Sequence, residues 1–210
     1  MNADRRMESP LLLPLKCPDC GAELEGGASA SIYLCRNCLY AVYMKQPNER
    51  YPLIFLKARV KASGAKLYVP FWRVKGRFKI SSLDKKQSRA YAHAVPLGDL
   101  FYRAFWSPKA NYFQNLTLEY SMGGKLLEEE GGSEPFVDGI RDPSPLGEVG
   151  RLTWLAYLDR KSDITGVESS FEIQSVAYVG IPFFREREGW MEGISGAMLP
   201  IGYLQTTKSP

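Results

Sequence analysis

FWRVKGRFKI, residues 71–80, is the stretch on which the architecture turns. Arg73, Lys75, Arg77 and Lys79 recur at every second position. Trp72, Val74, Phe78 and Ile80 fill the alternate positions, with Gly76 between them. A period of two places successive side chains on opposite faces of a strand. The pattern therefore predicts one strand over 67–80 with an apolar inside and a basic outside. Upstream, KARVK (57–61) alternates in the same way, with Lys57, Arg59 and Lys61 set against Ala58 and Val60. A strand over 56–62, closed by a Ser63-Gly64 turn, would add a second basic row. Before it, QPNERYPLIFL (46–56), punctuated by Pro47 and Pro52, reads as a connector.

Downstream, Tyr178 to Phe184 (YVGIPFF) echoes Tyr68 to Trp72 (YVPFW), allowing a two-residue insertion. Each is a strand-like run with an internal proline, which suits an edge, a bulge or a strand start. The pair is consistent with a duplicated strand unit over 68–80 and 178–201. REREG (185–189) reads as a hairpin turn, followed by short strands over 190–194 and 197–201. Helices are fewer. Residues 97–106 place Leu100, Phe101, Ala104 and Phe105 on one helical face behind a possible Asp99 cap. Residues 111–122 are ambiguous: Phe113, Leu116 and Tyr120 fit a helical face, while Leu116, Leu118 and Tyr120 fit a strand, and the reading leans to helix. Residues 123–150, rich in Gly, Glu, Pro and Asp, read as a long exposed loop, and 151–158 as a short strand. The expected fold class is α+β, mainly β: a compact antiparallel β-rich domain over 44–210 with one or two short helices.

All four cysteines fall before that domain: Cys17, Cys20, Cys35 and Cys38. They form two Cys-x-x-Cys pairs, CPDC and CRNC. Two cysteines three positions apart can turn both sulfurs toward one ion. A second such turn completes a tetrahedral four-sulfur site of the kind Zn²⁺ accepts. The intervening ELEGGASASIYL can form a hairpin, bent near Gly26 and Gly27 and returning through Ile32, Tyr33 and Leu34. About thirty residues cannot build a sufficient core alone, so the metal would supply much of the folding free energy.

On these residues the segment 15–43 resembles a zinc ribbon, with Cys17-Pro18-Asp19-Cys20-Gly21 as first knuckle and Tyr33-Leu34-Cys35-Arg36-Asn37-Cys38 as second. The resemblance spans about a seventh of the chain and implies a structural Zn²⁺ held by Cys17, Cys20, Cys35 and Cys38. Leu39 stands where the first knuckle has Gly21. Rubredoxin-like iron sites resemble a pair of glycine-followed knuckles, so this departure weighs against iron. The whole arrangement is also similar to uncharacterised bacterial proteins that pair a zinc ribbon with Pro-Phe-Trp strands.

Charge narrows the function classes. A net charge of +4 hides opposed blocks: 57–89 holds eleven basic residues against Asp84, and 116–150 holds eight acidic residues against Lys125 and Arg141. The basic block can face nucleic acid, an anionic membrane surface or an acidic partner, or be neutralised by the acidic segment within the fold. Apolar runs such as 11–13 and 53–56 are far below the roughly 20 residues that span a bilayer. The polar tail 1–14 lacks the apolar core of a secretory signal, and the expected location is cytoplasmic.

Catalytic signatures are missing. The single histidine, His93, lies in AYAHAVP without an acid or nucleophile beside it. Glu128 to Glu130 read as a solvated acidic run. GGK (123–125) lacks the phosphate-loop spacing, and GISG (193–196) lacks the nucleophile elbow. Four thiolates around a metal leave no open position for water. The expectation is a non-enzymatic protein-interaction or assembly module with a protein partner and no small-molecule substrate. Nucleic-acid binding through Lys57, Arg59, Lys61, Arg73, Lys75, Arg77 and Lys79 is the alternative. A single-strand platform, however, needs aromatics on its exposed face, and Trp72 and Phe78 point the other way.

Overall fold

A computed structural model of the chain describes residues 15–45, 48–82, 99–122, 126–129, 132–160 and 163–204. In chain order these form β1 (Ile32–Cys35), β2 (Tyr40–Tyr43), β3 (Glu49–Leu56), β4 (Lys66–Ser82), β5 (Leu100–Arg103), α1 (Ala110–Met122), β6 (Glu128–Glu129), α2 (Leu146–Asp159), β7 (Glu168–Arg185), β8 (Gly189–Glu192) and β9 (Met198–Pro200), closed by a 3₁₀ turn over Ile201–Tyr203. One sheet runs β1-β2-β3-β7-β4-β5, with β6 paired to β3, β8 to β7 and β9 to β8. Pairing is antiparallel except between Leu53–Phe55 of β3 and Tyr178–Gly180 of β7, which run parallel. The protein is α+β and mainly β, with a mixed sheet and, among the described residues, two helices.

The two echoing segments are direct partners. Tyr68 faces Pro182, Pro70 faces Gly180, and Trp72 faces Tyr178 in the first half of the long β4–β7 ladder. Proline cannot donate to a ladder, yet both prolines fit there. The N–H and C=O of Tyr68 turn away from β7 and bond Pro135 O and Val137 N, so Tyr68 and Pro182 form a non-hydrogen-bonded pair. The Pro70 carbonyl likewise turns away and accepts from Ala104 N.

Over this stretch the sheet is covered on both faces. Leu67, Val69 and Phe71 join Val179, Ile181 and Phe183 beneath Phe113, Leu116 and Tyr120 of α1. Tyr68, Trp72, Val74 and Tyr178 join Leu53 and Phe55 on the opposite face, beneath Leu146, Trp154 and Leu158 of α2. Past Val74 the ladder continues as a two-stranded ribbon. Phe78 stacks on Trp154 at 5.2 Å between ring centroids. Register shifts at Lys75/Gly76, where a Cβ on Gly76 would come within 2.3 Å of the Phe171 ring and 2.8 Å of Glu172 O. The predicted strand over 67–80 is thus present, apolar face inward and Lys75, Arg77 and Lys79 outward.

Several expectations are corrected. Of the helix expected over 97–106, the described residues instead hold strand β5 at Leu100–Arg103: Leu100 and Phe101 are consecutive buried residues on opposite faces, one in each core cluster. Phe101 N donates to Ser121 Oγ, and Asp99 pairs with Arg73 instead of capping a helix. The strand expected over 151–158 is helix α2, where Leu146, Gly150, Trp154 and Leu158 are buried at a spacing of four. Leu152, which strict alternation needs inside, is exposed. The connector expected over 46–56 contains β3, with Pro52 paired opposite Tyr40. The strand expected over 56–62 ends at Leu56. Beyond it Lys57 N bonds Leu127 O, and Arg59 N and Val60 N bond Gly193 O, so the chain crosses loops and joins no ladder there. Within 123–150, expected as exposed loop, the described residues include β6, buried Val137 and the first turn of α2. The helix over 111–122 and the short strands after 189 are present as α1, β8 and β9. His93 and Glu130 lie outside the described residues.

Candidate metal centre

The sulfurs of Cys17, Cys20, Cys35 and Cys38 all lie within 4.8 Å of one another. A tetrahedral site with metal–sulfur bonds near 2.3 Å has sulfurs about 3.8 Å apart, and Cys20 and Cys35 stand at 3.6 Å. All four are free cysteines. The donor set and its spacing fit one metal ion.

Each knuckle reverses the chain, through a different bond in each. Gly21 N bonds back to Cys17 O, and Cys38 N donates to Cys35 Sγ at 3.4 Å. The residue after each second cysteine is left-handed: φ is 72° at Gly21 and 56° at Leu39. Leu39 is the only non-glycine with positive φ among the described residues. The substitution that sets the second knuckle apart in sequence therefore leaves its geometry intact, and the cost falls on the Leu39 backbone. Leu39 O is held by Leu53 N, which ties the knuckle to β3.

Cys17 and Cys35 are buried and Cys20 is exposed. A hydrogen bond from the Asn37 side chain, with further bonds from Ala22 and Cys38, lowers the Cys20 thiol to about 6. Its thiolate in turn pushes the neighbouring Cys38 up to about 12, through their shared hydrogen bond and then desolvation. Burial raises Cys35. Crowded thiols cannot all ionise beside one another; a divalent cation supplies the charge that allows it.

The hairpin carrying these cysteines is built into the sheet, because β2 pairs with β3. Two polar clasps secure it further. Arg36, inside the second knuckle, donates to Gly132 O, to Glu134 O at 2.8 Å and to Glu25 Oε2 at 2.9 Å. Its guanidinium also lies over the Phe55 and Phe136 rings. Asp138 accepts from Gly27 N at 2.8 Å and from Ser29 Oγ at 2.9 Å. Neither role is visible in the sequence, since the contacts cross about a hundred residues of chain. Arg36 within CRNC is the one local hint.

The seven basic candidates are not brought together. Lys75, Arg77 and Lys79 share the exposed face of the distal ribbon. Lys57, Arg59 and Lys61 lie by Gly193, whose N bonds Pro182 O, while Lys75 faces Ser175. Seven residues of extended strand separate these points, about 23 Å. Arg73 is only 13% exposed and pairs with Asp99 and Glu128. Lys79 pairs with Glu172 at 2.5 Å. Lys66 pairs with Glu129 and Glu134. Part of the basic block is thus neutralised by the acidic segment within the fold. Glu128 and Glu129, read as a solvated run, hold the cations of β4.

Sheet and site together define a mainly β protein of α+β class carrying an N-terminal four-cysteine cluster able to hold a metal ion. Comparison with protein-family models, with curated proteins and with solved structures finds no match to this chain. No helix among the described residues is long and apolar enough to cross a membrane.

Proposed function

We propose that the chain is a non-enzymatic zinc-ribbon protein that acts as a protein-interaction or assembly module. Cys17, Cys20, Cys35 and Cys38 hold a structural Zn²⁺. Four thiolates complete its tetrahedron, so the metal keeps no position for a water or a substrate. The ion fixes two knuckles that the small hairpin core could not hold alone. A cluster of reduced thiols suits the cytoplasm, where we place the protein.

One observation carries the reading. Beside the closed cluster the ribbon exposes Leu15, Leu39 and Tyr40, and Met44 is exposed at the far end of β2. Apolar side chains presented to solvent on a rigid frame are what a partner can desolvate. The competing nucleic-acid reading draws on Lys75, Arg77 and Lys79, but the described part of that face offers no exposed aromatic for stacking.

Affinity capture from native lysate, with and without nuclease, separates the two. The interaction module retains a stoichiometric partner after nuclease and after K75E/R77E. It loses that partner when Leu39 and Tyr40 are replaced by Asp. Recovery of mainly nucleic acid, released by salt and abolished by K75E/R77E, would reverse the assignment.

A further inference from the structure

Among the cavities of ligand size that the described residues form, two flank the sheet. The larger, about 920 Å³, lies between the ribbon hairpin and the 132–139 segment. Its charged walls are satisfied internally: Arg36 and Asp138 form the clasps, and Lys66 pairs with Glu129 and Glu134. The smaller, about 570 Å³, opens between α1 and α2 over β5, and its two cations have no carboxylate partner among the described residues.

Arg103 of β5 and Arg141 both line this cleft. Each is tethered by one hydrogen bond to the turn after β5: Arg103 Nη1 to Ser107 O at 3.4 Å, and Arg141 Nε to Phe105 O at 3.2 Å. A guanidinium carries five N–H groups, so most of their donors are uncommitted. Among the described residues neither has a carboxylate within 4.0 Å. Asp142 lines the cleft as well, but its carboxylate accepts from Ser144 N at 2.8 Å and from Tyr43 and makes no ion pair with either arginine. Burial and then the Arg141 charge lower the Arg103 pKa, as expected of two cations held together without a counter-ion. The rest of the wall is largely apolar: Phe101, Phe113, Leu146 and Val149. The hydroxyls of Thr117, Ser121 and Thr153 are spent on backbone carbonyls of their own helices.

We propose that this cleft binds a small organic anion, its oxyanion head between Arg103 and Arg141 and its apolar body against Phe101 and Phe113. The head is a phosphate ester or a carboxylate, the two groups a guanidinium fork matches with paired hydrogen bonds. The site is independent of the zinc assignment.

Titration of the full-length, metal-replete protein with phenyl phosphate, inorganic phosphate and phenol tests it. Phenyl phosphate binds saturably, and the other two at least about tenfold more weakly, because each lacks one half of the match. Arg141→Gln, at an exposed position, keeps the melting temperature and loses about tenfold or more in affinity. Arg103→Lys, which keeps the charge but not the fork, loses several-fold. Equal affinity for phenol and phenyl phosphate, unchanged affinity in both variants, or no saturation by about 10 mM would each overturn the proposal.

Discussion

At the second knuckle, Leu39 occupies a backbone region that suits glycine and is 43% exposed. The left-handed conformation costs a branched residue about 1–2 kcal/mol, and a glycine there would lose about 0.5–1 kcal/mol more chain entropy on folding. Leu39→Gly should therefore stabilise the ribbon by roughly 0.5–1 kcal/mol, read as a higher melting temperature at fixed zinc. The same variant should weaken partner capture, because it removes an exposed apolar side chain. Greater stability with undiminished capture would remove Leu39 from the interface. A second prediction concerns protons. Thiolates bind the metal, so binding releases the protons that Cys35 and Cys38 retain at neutral pH. Affinity should rise with pH through neutrality and fall more steeply below about 6, where Cys20 also protonates. Competition titrations with a chelator at several pH values check this, and a pH-independent affinity would contradict thiolate ligation. The four ligands were legible because two Cys-x-x-Cys turns are a local signal. Arg103, Arg141 and Asp138 were not, because each acquires its role from residues far away in the chain.

For the elements, legibility followed how many faces each one buries. The distal half of β4 has one wet face, and its alternation reads directly as a strand. β5 is covered on both sides, so Leu100 and Phe101 form a continuous apolar run that fits a helical face equally well. In α2 the alternation of Leu152, Trp154, Ala156 and Leu158 is coincidental; the spacing of four from Leu146 to Leu158 is the one that packs. Pro52 masked β3 because only the pairing pattern shows that a proline fits there. Gly76 is the position where an element is most constrained. Gly76→Ala would press a methyl onto both the Phe171 ring and Glu172 O, and the backbone contact cannot be relieved by a rotamer change. The expected cost is about 1–3 kcal/mol, measured by denaturant unfolding, with faster amide exchange in 168–176 and unchanged zinc content. Wild-type stability would remove the close approach as the reason for glycine.

Across the whole molecule, most of the core belongs to the β4–β7 ladder and its flanking helices, and the ribbon adds Ile32, Leu34 and Ala41 with Tyr43 packed against them. Metal loss should therefore loosen 15–43 and leave the ladder protected. The ribbon is held to the body by the Arg36 and Asp138 clasps. Arg36→Met, which leaves Gly132 O and Glu134 O without their donor, should cost about 2 kcal/mol and speed exchange over 132–139 with one metal still bound. Unchanged protection there would show that β2–β3 pairing alone carries the junction. The functional reading rests on the four-thiolate zinc site. Its most direct test is elemental analysis of the chain purified under reducing conditions, with Cys35→Ser alongside. The account predicts one zinc per wild-type chain and none in the variant. Wild-type protein with four reduced thiols and no metal, or with iron in place of zinc, would contradict it.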